Sequence, residues 1–321
     1  MKTLRIVFMG TPEFAVSTLG SLLMNGFNVV AVVTAPDKPS GRGRKITKSA
    51  VKEFAEFSHL PILQPDNLKD PGFIESLKKL RADLFIVVAF RMLPEVIWKM
   101  PSIGTINLHA SLLPHYRGAA PINHAIINGE SITGVTTFFI DGMIDTGSIL
   151  LREEIQIFPF ENAGDLHDRL MKHGARLVIR TLAGITQNTI IPQPQSKLLK
   201  PGEVPKAAPK IFPENCVINW NLDANRIHNF IRGLSPYPGA KSTLSVGNES
   251  LSFKIFESQP ETGDHILKPG SIISDGKHFL RVACGEGFLS ILNIQIEGKN
   301  RMNTVEFLRG FNICYCSIPV S

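Results

Sequence analysis

The sequence contains no apolar run long enough to cross a bilayer. Its longest, "NVVAVVTA" (Asn28 to Ala35) and "DLFIVVAF" (Asp83 to Phe90), fall far short of the roughly 20 residues a spanning helix needs. Both have the length of a buried strand, and no membrane partner is expected. Cysteine is scarce: Cys216, Cys284, Cys314 and Cys316 are the only 4 in 321 residues, and none shows the C-x-x-C spacing of a zinc ribbon. They are expected to pack as small apolar side chains. Glycine-rich phosphate fingerprints are missing too. "MGTPEFA" carries only Gly10 where a dinucleotide loop needs three glycines, no G-x-x-x-x-G-K-[ST] loop occurs, and Ser111 lacks G-x-S-x-G surroundings. These absences set aside dinucleotide binding, nucleotide hydrolysis and a serine nucleophile. No two histidines make the i, i+4 pair with a carboxylate that marks a metal site, so no metal is expected. "MKTLRIVFMG" runs directly into an apolar stretch, which leaves no room for a signal sequence and points to a cytoplasmic protein.

What is present is a soluble, globular composition, 43% apolar and 19% charged, in a chain long enough for two domains. The net charge of +6 is uneven. Residues 1–200 hold 22 Lys and Arg against 17 Asp and Glu, and the remaining 121 hold 12 against 11. The densest part, "KPSGRGRKITKSAVK", sets Lys38, Arg42, Arg44, Lys45, Lys48 and Lys52 together without an acid. Such a cluster suits a polyphosphate or nucleic-acid partner; a solvated face is the plainer alternative.

Apolar runs alternate with segments of helical period through the first two thirds, which predicts a βαβ succession and a Rossmann-like, mostly parallel sheet. Strands are expected at Leu4 to Met9, Asn28 to Thr34, Leu84 to Ala89, Thr105 to Leu108 and Val135 to Ile140, with helices at Phe14 to Met24, Lys48 to Phe57, Pro71 to Leu80, Ala120 to Asn128 and Gly164 to Leu182. Thr11 before Pro12 reads as the cap of the first helix. "NTIIPQPQSKLLKPGEVPKAAPK" has five prolines and few bulky residues, so it reads as a linker or a surface arm. After it come a short helix at Leu222 to Leu234 and recurrent short strands, which predict a small OB-like β-barrel. The expected division is 1–187, a linker 188–208, and 209–321.

Chemistry concentrates in "TINLHASLLPHYRGAAP". Asn107 and His109 stand two apart at the end of a strand, so an amide and an imidazole point the same way, where ligands of a parallel sheet collect. An amide donates to an oxygen gaining charge, and an imidazole exchanges protons near neutral pH. "FIDGMIDTGSILL" offers Asp141 and Asp145 as a carboxylate to hold the ring, and Asp145, before Thr-Gly, is the better placed. Turn-forming Asn and Asp beside a satisfied histidine would give the same pattern.

"NLHASLLPHYRGAAPI" followed by "IDTG" resembles the signature of the folate-dependent formyltransferases. Within them, "VFMGTPEFA", "GRGRK", "KIFPENCVINW" and "IRGLSPYPGA" are similar to the methionyl-tRNA formyltransferases. The resemblance implies transfer of the formyl group of 10-formyltetrahydrofolate to the α-amino group of methionyl initiator tRNA. It makes Asn107, His109 and Asp145 the catalytic trio, with Ser111, Leu112, Leu113 and Pro114 lining the folate site and no metal required. It also makes Arg42, Arg44 and Lys45 the tRNA-binding residues of the basic loop, gives the barrel a further RNA surface, and goes with a monomer.

Other folate-dependent formyltransferases, a formyltetrahydrofolate hydrolase and a non-enzymatic RNA-binding protein on the same scaffold remain as alternatives. The chain also departs from the family pattern. Residues 201–321 are nearly neutral, His124 stands where an aromatic residue is usual, and "SPYPGA" replaces a form with Asn and Trp.

Overall fold

The computed structural model describes residues 4–40, 45–246, 249–311, 313 and 316–318. Two compact units emerge, each assembled from separated stretches. One consists of Met1–Gly118, Thr133–Gln156 and His167–Ala207; the other of Ala119–Ile132, Ile157–Leu166 and Ala208–Ser321. The proline-rich segment expected as a linker thus belongs almost wholly to the first unit, and two short stretches from the N-terminal half belong to the second.

The first unit runs β1 (Arg5–Gly10), α1 (Glu13–Met24), β2 (Asn28–Val33), β3 (Lys38–Ser40), β4 (Lys45–Thr47), α2 (Ala50–Phe57), β5 (Ile62–Leu63), α3 (Pro71–Lys79), β6 (Leu84–Val88), α4 (Glu95–Trp98) and β7 (Gly104–His109). The chain then leaves it for α5 (Pro121–Ile127) and returns through β8 (Ile132–Phe139) and β9 (Ile149–Gln156) before the long α6 (Ala163–Thr186). Seven strands form one sheet in the order β5-β2-β1-β6-β7-β8-β9. Pairing is parallel from β5 to β7 and antiparallel between β7 and β8. Ile6 to Met9 and Leu84 to Val88 are buried on both faces, as continuous apolar runs in a covered parallel sheet must be. The α/β expectation therefore holds.

Local details differ from the sequence reading. Pro12, not Thr11, is the N-cap of α1 and makes no side-chain cap bond. Helix α2 begins two residues later than expected because Ser49 caps it, accepting from the Lys52 amide at 3.0 Å. Strand β9 was not anticipated; its "LLREEIQ" stretch carries charge and lies at the end of the sheet. The order of strands reverses between β1 and β6, so Asn107 and His109 on β7 stand one strand beyond that switch point.

The basic cluster spans the β3–β4 hairpin, in which Lys38 pairs with Thr47 and Ser40 with Lys45. Arg42 and Arg44 lie outside the described residues, as does Cys314. Two of the cluster's other cations are committed locally: Lys52 Nζ lies 2.6 Å from Asp37 and Lys48 Nζ 2.7 Å from Glu56. The hydrogen bond from Lys52 holds the Asp37 carboxyl below its ordinary range.

The second unit contains α5, α7 (Ala224–Leu234), β10 (Ala240–Val246), β11 (Glu249–Glu261), β12 (Ile272–Ser274), β13 (Leu280–Ala283), β14 (Phe288–Ile296), β15 (Met302–Asn303), α8 (Thr304–Gly310) and β16 (Cys316–Ser317). Its antiparallel sheet runs β12-β13-β14-β11-β10-β16, with β15 beside β14. The long β11 shifts register around Glu257, the kind of irregularity that bends a strand. The result is a half-barrel over a core that includes Trp220, Phe253, Ile291 and Phe307. Trp220 donates its indole N–H to Ser242 Oγ at 3.0 Å, so its polar atom is satisfied inside that core. Cys216 and Cys284 are buried there as free thiols, and burial pushes the Cys284 thiol up to about 12.

Candidate active site

Asn107 and His109 end β7, and the two-residue period of the strand puts them on one face. His109 is 7% exposed, and its Nε2–H donates to the Tyr116 carbonyl at 2.8 Å. That bond fixes the tautomer of the neutral ring and leaves Nδ1 directed at Asp145, whose Oδ2 lies 3.7 Å away. At that separation the two are near neighbours without a formed hydrogen bond. A proton on Nδ1 would give the carboxylate a charged partner.

Asp145 is held from several sides. Its Oδ2 accepts the Gly118 amide at 2.9 Å, and its backbone φ is +55°, a left-handed conformation that aspartate tolerates better than most side chains. Asp141 is occupied within its own loop, accepting from the Met143 amide at 3.0 Å and from Thr146 Oγ1 at 2.6 Å. Of the two acids the sequence offered, the fold brings Asp145 to the imidazole. Asn107 is partly buried, and its carboxamide oxygen has no hydrogen-bond partner among the described residues. A buried amide oxygen without a partner is an acceptor available to a ligand's donor.

The stretch Ser111 to Pro114 has mixed surroundings. Ser111 and Leu113 are fully buried, Pro114 is buried and Leu112 is partly exposed. The Ser111 hydroxyl donates to the His115 carbonyl at 2.7 Å, and Thr136 Oγ1 donates to the Ser111 carbonyl at 2.6 Å while accepting the Leu113 amide at 3.2 Å. Leu113 packs with Phe138 and Ile149, and its carbonyl accepts from Arg152 at 2.9 Å. Three of the four residues therefore fix the shape of the loop, and Leu112 keeps exposed surface.

Sequence reasoning missed Tyr116, whose carbonyl orients the imidazole, and Arg117 and Gln195. Gln195 is 3% exposed inside the proline-rich segment. A side chain's bond to a backbone carbonyl, or to a side chain far away in sequence, leaves no local residue signature, so nothing in the sequence marked these partners. Among the described residues no group of three or more His, Cys, Asp or Glu could hold a metal ion, and no helix is long and apolar enough to cross a membrane.

Two family models match the chain, described as formyl transferase over residues 4–182 and formyl transferase, C-terminal domain, over residues 210–312. A methionyl-tRNA formyltransferase of Bacteroides fragilis is 53% identical over 311 residues, covering 97% of this chain and 96% of that protein. One from Flavobacterium johnsoniae is 54% identical over 310 residues, with 97% of each chain covered. Among solved structures, an N-formyltransferase from Helicobacter canadensis, in complex with folinic acid and dTDP-3-aminofucose, superposes with a TM-score of 0.63. It shares 22% identity, with 90% of this chain and 98% of that one covered, a likeness that bears on the fold.

Proposed function

The chain belongs to the formyl transferase family, in its methionyl-tRNA formyltransferase branch, and on that premise we propose that it moves the formyl group of 10-formyltetrahydrofolate onto the α-amino group of methionine carried by initiator tRNA. The observation that carries this reading is the approach of Asp145 to Nδ1 of His109, on the strand face that also carries Asn107, whose carboxamide oxygen has no partner among the described residues.

The neutral amine attacks the formyl carbon, and the carbonyl oxygen becomes an oxyanion. An amide N–H of Asn107 and the Nδ1–H of protonated His109 donate to that oxygen, where preorganised donors act most strongly. Nε2 stays on the Tyr116 carbonyl throughout, so Nδ1 is the nitrogen that changes partners. The attacking nitrogen must lose a proton; the Asp145 carboxylate accepts it, directly or through a water. The intermediate then collapses: the carbonyl re-forms, the bond from the formyl carbon to N10 of the folate breaks, and N10 takes up the proton that Asp145 had accepted, which restores the carboxylate. Leu112 offers the apolar surface for the pterin, and Ser111, Leu113 and Pro114 hold the loop that presents it.

Arg42, Arg44 and Lys45, in the basic stretch of the sequence, meet the tRNA backbone, where cationic side chains supply salt-sensitive affinity. Residues 209–321 add further RNA surface.

Incubating the protein with labelled 10-formyltetrahydrofolate and methionyl initiator tRNA tests the reading: label should appear as formylmethionyl-tRNA. Release of formate without labelled tRNA would make the protein a hydrolase and overturn the proposal.

A further inference from the structure

Gln195 lies in a segment whose sequence suggested a linker, yet every hydrogen-bonding position of its side chain is engaged. The carboxamide nitrogen donates to the carbonyls of Asp145 at 2.8 Å and Gly147 at 2.9 Å. The carboxamide oxygen accepts from Arg117, at 3.1 Å from Nε and 2.6 Å from a terminal nitrogen. Two carbonyls on one side and a guanidinium on the other admit only this orientation of the amide.

The segment around it is anchored on both sides. Gln193 exchanges both backbone hydrogen bonds with Ile149 at the start of β9, each 2.8 Å long. Farther along, the Tyr116 amide donates to the Lys206 carbonyl at 2.5 Å. Gln195 is therefore fixed to the scaffold and joins two loops that the site depends on. One loop carries Asp145. The other carries Arg117, flanked by Tyr116, whose carbonyl holds His109 Nε2, and by Gly118, whose amide holds the Asp145 carboxylate. The Asp145 loop has little room to adjust, since a Cβ on Gly147 would stand 1.7 Å from the Phe139 carbonyl oxygen.

We propose that Gln195 is a positioning residue: by clamping the backbone of Asp145 and Gly147 to Arg117 it keeps the Asp145 carboxylate at the Nδ1 side of His109. It touches neither substrate. Since Gln195 acts through Asp145, this role holds only if Asp145 takes the part described above.

Gln195→Glu keeps the size of the side chain and its partnership with Arg117 but replaces the donors to the two carbonyls by an acceptor. Turnover by the folded, gel-filtered enzyme should fall about 10- to 100-fold, the range expected when a catalytic group shifts by an ångström or less. KM for the folate donor and for tRNA should change little. Gln195→Ala serves as a second variant in which no new charge is introduced, and it should lose turnover in the same way. The double variant Gln195→Glu with Asp145→Asn should be no slower than Asp145→Asn alone, because both changes disable one group.

Normal turnover in Gln195→Glu and Gln195→Ala beside a crippled Asp145→Asn would overturn the role of Gln195 and leave that of Asp145 standing. Losses that multiply in the double variant would also overturn it, since they would mark a structural role independent of the carboxylate. Near-normal turnover of Asp145→Asn would remove Asp145 from the mechanism, and the positioning role with it.

Discussion

His109 and His228 are buried to nearly the same degree, 7% and 8% exposed, in opposite surroundings. His109 lies between the Tyr116 carbonyl and the Asp145 carboxylate, both acceptors. His228, on α7, stands by Ser258 Oγ at 3.1 Å, near the Phe160 ring and one helical turn from Arg232. Burial first, and then the Arg232 charge, hold the His228 imidazole below its ordinary 6.5. The unfolded chain therefore binds a proton more readily than the folded one as pH falls below about 6.5, and that proton uptake favours unfolding. Its contribution to stability is complete above that pH and is lost as pH falls through the lower, folded value. Thermal unfolding followed from pH 8 to pH 5 should show stability declining at the acid end, and His228→Gln should flatten the decline. An unchanged slope in His228→Gln would assign the acid sensitivity elsewhere. Composition gave no hint of this contrast, because burial and neighbours decide it.

Hairpin β3–β4 shows how an element can be read in sequence yet be altered by its fold. Six cations without an acid stood out in the chain, but Lys48 and Lys52 turn toward Glu56 and Asp37. Of the other four, Arg42 and Arg44 lie outside the described residues, and what points to a tRNA contact is the charge of the segment in sequence. Replacing Arg42, Arg44 and Lys45 together by alanine should raise KM for tRNA and leave KM for the folate donor unchanged. Each lost phosphate contact should also lower the slope of log affinity against log salt by about 0.7 to 0.9. Kinetics at several salt concentrations check both, and an unaltered slope would take the hairpin out of the tRNA contact. Strand β9 illustrates the opposite difficulty. "LLREEIQ" carries too much charge to read as a buried strand, and its place at the end of the sheet is what lets it pair. Periodicity reports burial, so elements that are half solvated leave a weak trace.

For the whole molecule, the sequence suggests that the chain can be cut after residue 208, whereas the folded units are assembled from separated stretches. Helix α5 packs on α7: Asn123 Nδ2 donates to the Gly233 carbonyl at 2.7 Å, and a Cβ on Gly233 would meet Ile127 at 2.6 Å. Arg232, 8% exposed, donates to the Glu161 carbonyl at 3.0 Å. A fragment of residues 209–321 lacks both the helix and the Glu161 stretch, so one face of α7 is uncovered and a buried guanidinium loses an acceptor, a change costing about 1.5 to 3 kcal/mol for the bond alone. That fragment should bind a hydrophobic dye and melt without a sharp transition. A cooperative melt at the temperature of the same unit in the intact chain would refute this.

The sequence by itself determined the class of fold, because continuous apolar runs alternating with helical periods can be buried in few other ways. It also determined that Asn107 and His109 share a face, because a strand's period is two. The sequence already favoured Asp145 over Asp141, but only the tertiary structure put its carboxylate 3.7 Å from His109 Nδ1 and tied Asp141 into its own loop, since that depends on how one loop returns to another. Only the tertiary structure turned a proline-rich stretch into the clamp around Gln195. Hydrogen bonds from a side chain to a distant backbone are set by where the chain returns in space, and local pattern holds no record of that.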